Sequence, residues 1–229
     1  MPITNYVPSS VLSKPGVCTS TTRPSTPYQG MVIYETDTAR TLVWNGSAWV
    51  FLSTSSAGDV GLVKVIPTSV SGTGVSLGSD GTITFSSTSS MTVNGAFSST
   101  YDNYRMIISN CVGSTSLSLR FSLNGLTSGV YNWAAPYGTT SATVVGDGTS
   151  GATYWVICSV DVGDANSSTI DIYGPFLAKR TGMSGTGNGA NVVSLYGGQA
   201  VDTNSRTGFT IITNTGTVSG TLRLYGYRN

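Results

Sequence analysis

Histidine is absent from the chain. That removes at once the Ser-His-Asp and Cys-His nucleophile systems, the usual general base near neutral pH and the commonest zinc ligand, so no catalytic residue, cofactor or metal site is expected. Charge is scarce as well. Asp, Glu, Lys and Arg make up 9% of residues, against about 25% in an average soluble domain. A surface of hydroxyls, amides and backbone loses little when it is dehydrated against another protein, so assembly is favoured. The basic residues are scattered, Lys179 and Arg180 being the only neighbours, and without a basic stripe no nucleic-acid partner is expected.

Cysteine is limited to Cys18, Cys111 and Cys158. Cys111 follows "MIISN" and Cys158 lies inside "YWVICSV", so they read as small buried hydrophobes, with one disulfide among them as the alternative. No apolar run reaches 18 residues, and the start "MPITNYVPSS" has neither a basic nor an apolar leader region. Neither membrane insertion nor Sec-type export is expected.

What is present is β pattern. In "YETDTARTLVWNGSAWVFL" (34–52), alternation through Leu42 and Trp44 leads into Asn45-Gly46, a pair suited to the positive φ of a primed hairpin turn, and "AWVFL" returns as the second strand. A hairpin is marginal alone, so Trp44, Trp49 and Phe51 must pack on a further surface. "GMVIYETD" (30–37) adds a strand to make a three-stranded unit.

Residues 1–27 carry five prolines and read as an extended anchoring arm, with Ile3, Tyr6, Val7, Val11, Leu12 and Val17 as apolar stations for a partner and a disordered leader as the alternative. The hairpin module then spans 28–53, a linker 54–61, and an antiparallel β-sandwich, jelly-roll-like, 62–229. In the last region "YRMIIS" places Tyr104, Met106 and Ile108 on one face, and "LSLRFSL" does the same for Leu117, Leu119, Phe121 and Leu123. Both are half-buried strands. "TYWVICSVD" (153–161) is apolar on both faces, and "TGMSGTGNGANV" (181–192) is glycine-rich enough to read as a flexible loop or a crossing beside a partner. The closing "GTLRLYGYR" points Leu222 and Leu224 inward and Arg223, Tyr225 and Tyr227 outward, the composition of an interface centre, so self-association through this domain is expected, with tyrosines that cover a sandwich face of a monomer as the alternative.

Three further groups invite a chemical reading. Glu35 and Asp37 share a strand face and could form half of a glycosidase carboxylate set, but turn residues that cap and solubilise the hairpin are the plainer assignment. "DVGDANSS" (161–168) has oxygen ligands at short spacing yet lacks the final Glu of a calcium loop, so it reads as a turn, with structural calcium as the alternative. Tyr131, Trp133 and Tyr137 gather aromatics near loops as a candidate glycan-binding shelf, against core and interface packing as the simpler explanation.

The stretch Cys18 to Val50, with Arg23, Pro24, Pro27, Gly30, Ile33 to Thr38, Asn45, Gly46 and Ala48 to Val50, resembles a short module of tailed-bacteriophage structural proteins, especially tail-fibre and minor tail proteins. "FSSTYDNYRMIIS", "LSLRFS" and "TLRLYGYR" resemble a recurrent phage virion β-sandwich. The resemblance implies a non-enzymatic virion component, assembled in the host cytoplasm and placed on the particle surface. It also implies a trimer or other closed homo-oligomer, held to a tail protein or the major capsid protein. A short tail fibre or tail tip for host attachment is one location, a capsid decoration protein stabilising the head lattice is the other, and a polysaccharide-degrading enzyme is a distant third reading.

Overall fold

The computed structural model describes residues 16–52, 61–126, 128–139, 143–189 and 192–228. The arm stations Ile3, Tyr6, Val7, Val11 and Leu12 lie outside these residues. The described residues contain no α-helix and divide into two units, 16–52 and 61–228.

The first unit is a sheet of β1 (Gly16–Cys18), β2 (Val32–Glu35), β3 (Arg40–Trp44) and β4 (Trp49–Phe51), in that order. It has one strand more than the sequence pattern suggests. Gly16–Cys18, read as part of the arm, pairs in parallel with β2. Three residues without clear alternation carry no strand signal, and polar contacts hold the segment instead. Asp37 accepts hydrogen bonds from the Ser20 N–H (2.9 Å) and hydroxyl (2.5 Å). Glu35, buried, accepts from the Arg23 guanidinium and from the Thr38 hydroxyl (2.8 Å). Ile33 and Leu42 form the buried centre of this face, with Trp44 edge-on to Trp49 at 5.5 Å and Arg40 lying over Phe51 at 4.6 Å.

The hairpin turn also differs from the expected primed form. Trp44 pairs with Trp49, so four residues make the connection, and only Gly46 has positive φ. The Asn45 side chain closes the loop, its Oδ1 accepting from the N–H of Ser47 (2.9 Å) and Ala48 (2.8 Å). Asn here acts through its side chain rather than its tolerance of left-handed backbone.

The second unit is an antiparallel sandwich. Its strands are β5 (Leu62–Val65), β6 (Ser69–Ser71), β7 (Val75–Leu77), β8 (Ile83–Thr88), β9 (Ser90–Asn94), β10 (Asn103–Gly113) and β11 (Leu117–Leu123). There follow β12 (Tyr131–Ala134), β13 (Tyr137–Thr139), β14 (Val144–Val145), β15 (Gly148–Ala152) and β16 (Trp155–Val160). The last five are β17 (Asn166–Tyr173), β18 (Thr181–Gly189), β19 (Val192–Ala200), β20 (Phe209–Thr213) and β21 (Val218–Tyr227). The larger sheet runs β14-β13-β19-β18-β17-β10-β21-β8-β7, with β12 and β15 beside β19 and β5 beside β21; the smaller runs β16-β11-β20-β9-β6.

Between the sheets the inward residues of β10, β17 and β21 meet those of β11, β16 and β20 in one continuous core. A row of rings threads it: Tyr131 is edge-on to Trp155, Trp155 stacks on Phe121, Phe121 on Phe209, and Phe209 contacts Phe97, which is edge-on to Tyr104. Such pairs add about 0.5–1.5 kcal/mol each beyond the area they bury.

Two sequence expectations are corrected here. "TGMSGTGNGANV" is not a loop over most of its length, because Thr181–Gly189 is a strand paired on both sides, with β17 and β19. Its glycines permit close backbone approach: a Cβ on Gly185 would lie 2.5 Å from the Thr169 carbonyl oxygen. The two-sided apolar signal of "YWVICSV" has an internal cause. Leu119 pairs with Cys158 and Arg120 with Val156, leaving Ile157 as the extra residue of a bulge, so Ile157 and Cys158 are both buried. This strand needs no partner copy to cover it.

None of the three cysteines is bridged; Cys111 and Cys158 are buried and Cys18 is half-buried. Burial pushes the Cys111 thiol up to about 12 and raises that of Cys158 as well, so both behave as inert hydrophobes.

Candidate functional site

The outer face of the larger sheet carries the expected row from β21. One register line crosses it: Gly197, Ser184, Asp171, Arg105, Tyr225 and Lys64 lie opposite one another in sequence of strands. Arg105 binds Asp171 with both prongs, Nε to Oδ1 at 2.8 Å and Nη2 to Oδ2 at 2.7 Å, and the Tyr227 hydroxyl donates to the same Oδ1 at 2.7 Å. Partial burial acts to raise the Asp171 pKa, but these donors outweigh it and hold the carboxyl below its ordinary range. Burial, then the bond to Asp171, pushes the Tyr227 phenol up to about 12. Arg223, Tyr225 and Tyr227 are half-buried and alternate away from the core, as Leu222 and Leu224 point into it. Tyr227 is spent within its own sheet, and Arg223 and Tyr225 are the other half-buried outward groups at this end of β21.

The second face of the four-stranded sheet has a different character. Val17, Tyr34 and Thr41 form one register row and Val32, Val43 and Val50 the next. Val17 is 71% exposed, Tyr34 39% and Val50 37%, with Leu52 just beyond at 54%.

Tyr131, Trp133 and Tyr137 do not make a shelf. Tyr131 is fully buried, its hydroxyl accepting from the Leu123 N–H (2.8 Å) and donating to the Leu126 carbonyl (3.4 Å). The three residues lie opposite Ala200, Gly198 and Ser194 of β19, and so follow one face of that strand from the core outward. Trp133 borders an open hollow of about 470 Å³ beside Asn132 and Gln199. Tyr137 belongs to another feature.

That feature is a cleft of about 400 Å³ at one end of the sandwich, where β11 begins, β16 ends, β13 meets β19 and the chain turns after β20. Leu117, Val160 and Val192 supply its apolar part; Ser159, Ser194, Asp161 and Asn214 supply polar groups beside Tyr137. The Tyr196 hydroxyl is hydrogen-bonded to Ser194 and Ser159, which partly offsets the rise that burial imposes on its phenol. Ser118 N–H donates to Asn214 Oδ1 (2.6 Å) and the Ser116 hydroxyl to Asp161 Oδ1 (3.2 Å). No sequence window joins these residues; only the fold does.

The remaining candidates resolve into structural roles. Glu35 and Asp37 are each committed to the loop contacts described above. In "DVGDANSS" the buried Asn166 side chain accepts from the Asp161 N–H at 2.7 Å and closes the turn. Among the described residues no group of three or more Cys, Asp or Glu is placed to hold a metal ion. No protein-family model and no curated protein matches the chain.

Proposed function

We propose that this chain is a non-enzymatic structural protein of a tailed-phage particle, a short tail fibre or tail-tip component that takes part in host-surface attachment. The observation that carries the reading is the apolar second face of the small sheet, a sheet too small to need such a face for its own core. It serves as the anchor, together with the arm before it, and the sandwich is the displayed part. The resemblance of Cys18 to Val50 to phage tail modules supports the same assignment. Self-association runs through the outer face of the sandwich, centred on Arg223 and Tyr225, and a closed three-fold arrangement suits a fibre.

Electron microscopy of intact particles tests this directly. The expected density shows three copies about an axis at the tail, each with its Val17 and Tyr34 face against a tail protein. Copies on the head lattice instead would replace the tail assignment with capsid decoration. Absence of the chain from purified particles would reject both.

A further inference from the structure

We propose that Asn45 is a self-modification site: the backbone nitrogen of Gly46 attacks the Asn45 side-chain amide, and the hairpin turn passes from an asparaginyl to an aspartyl or isoaspartyl form. The inference rests on the geometry of this turn and is independent of whether the chain belongs to a particle. Asn-Gly is the pair best suited to the reaction, because glycine has no side chain to shield its nitrogen. The chain has four such pairs, Asn45-Gly46, Asn94-Gly95, Asn124-Gly125 and Asn188-Gly189. The fold treats them differently.

Asn94 donates from Nδ2 to the Ser69 hydroxyl (3.1 Å) and accepts at Oδ1 from Asn124 Nδ2 (3.1 Å). Asn124 also donates to the Val93 carbonyl (3.2 Å) and accepts from the Thr210 hydroxyl (3.0 Å). In both, bonds on the amide nitrogen hold the group that must leave. Asn188 lies inside β18, paired with β17 and β19, where the extended backbone has a ψ that a five-membered imide ring does not permit. Asn45 is held in the opposite sense. Its Oδ1 accepts from the Ser47 N–H (2.9 Å), the Ser47 hydroxyl (3.0 Å) and the Ala48 N–H (2.8 Å). Residues 45–48 are exposed and lie outside the ladder, and among the described residues the Gly46 N–H has no hydrogen-bond partner.

Solvent hydroxide takes the Gly46 N–H proton and the nitrogen bonds to Asn45 Cγ. Negative charge gathers on Oδ1, where the three donors stand as an oxyanion hole would place them. Nδ2 then takes a proton from water and leaves as ammonia, closing a succinimide. Water adds to one of the two imide carbonyls. Breaking the new N–Cγ bond gives aspartate; breaking the original peptide bond gives isoaspartate, with the main chain running through Cβ and Cγ. Either way the Gly46 nitrogen regains its proton and one oxygen has come from water. The two products differ in consequence. An aspartate carboxylate accepts the same three bonds and keeps the turn. Isoaspartate adds a methylene to the backbone of a loop whose closure sets Trp44 opposite Trp49, and the hairpin loses that register.

The test ages the full chain at mildly alkaline pH in heavy-oxygen water and follows it by peptide mass mapping. Amide-to-acid conversion is expected at Asn45 about tenfold or more faster than at Asn94, Asn124 or Asn188, with one heavy oxygen gained and a rate that rises with hydroxide. In denaturant all four pairs lose their folded contacts, and the rates should converge. Ser47→Ala removes the hydroxyl donor from an exposed loop and should slow conversion at Asn45 severalfold. Asn45→Asp should keep the protease resistance of residues 16–52, so that opening of the hairpin on ageing follows the isoaspartyl fraction. Three results overturn the proposal: Asn45 converting no faster than the other three in the folded chain, the same ranking persisting in denaturant, or a rate unchanged by Ser47→Ala.

Discussion

The two units of this chain solve the same problem by opposite means. The sandwich buries a continuous core threaded by aromatic rings, and on its outer face Arg105, Asp171 and Tyr227 satisfy one another. The four-stranded unit has Ile33 and Leu42 as its fully buried apolar residues. It substitutes side-chain clamps, Arg23 on Glu35 and Ser20 on Asp37, for the core it cannot assemble. It also leaves its second face apolar and open. Small sheets seldom stand alone, and on the function proposed above the four-stranded unit is the one that a partner would complete.

The comparison can be broken most forcefully in the sandwich. Trp155 is fully buried between Phe121 and Tyr131, so Trp155→Ala should cost about 3–5 kcal/mol in chemical denaturation of that unit, with the signal of the small unit unmoved. Gly185→Val comes next. The new side chain would press on the Thr169 carbonyl and on Ile170, and a loss of about 1–3 kcal/mol is expected. Trp49→Ala should cost less, about 1–2 kcal/mol, because the ring is only half-buried and its main contact is the edge-to-face pair with Trp44. Limited proteolysis of the first 60 residues would register that change while the sandwich stays resistant.

Acid sharpens the contrast further. The Arg23 hydrogen bond lowers the Glu35 pKa, and the Ser20 hydroxyl lowers that of Asp37. A depressed carboxyl stabilises the fold above its unfolded value, about 4, and loses that contribution as pH falls through the folded value. Asp171 beside β10 is depressed too, but the continuous core lies behind β10 and the smaller pair Ile33 and Leu42 behind β2, so hydrogen exchange between pH 5 and pH 2 should show β2 opening before β10. At the alkaline end the sign reverses. The raised Tyr227 phenol contributes stability that declines as pH climbs from about 10 to about 12, and Tyr227→Phe should flatten this slope in thermal melts of the sandwich.

Strands with large side chains at every second position were legible from sequence, among them Tyr104 to Ile108, Leu117 to Leu123 and the final strand, because burial on one face imposes a period of two. β18 was hidden because glycine has no side chain to alternate, even though that absence lets its backbone approach β17. The bulge at Ile157 mimicked a strand with two buried faces. Tyr131 looked like a ligand platform until its hydroxyl found backbone partners in the core. The end cleft draws on residues from 116 to 214, and no local pattern announces a site whose parts meet only after both sheets have formed.

The central claim is that the small unit is an anchor whose open face meets another protein, and the most direct measurement is incorporation of a Val17→Asp, Val50→Lys chain into particles. Both positions are exposed on that face, so the isolated variant should keep its fold, checked by the unfolding midpoints of both units. Particles assembled with it and purified should contain the chain at less than about a tenth of the unmodified level, a loss equivalent to roughly 1.4 kcal/mol or more of docking energy. Incorporation at the unmodified level by a folded variant would contradict the account.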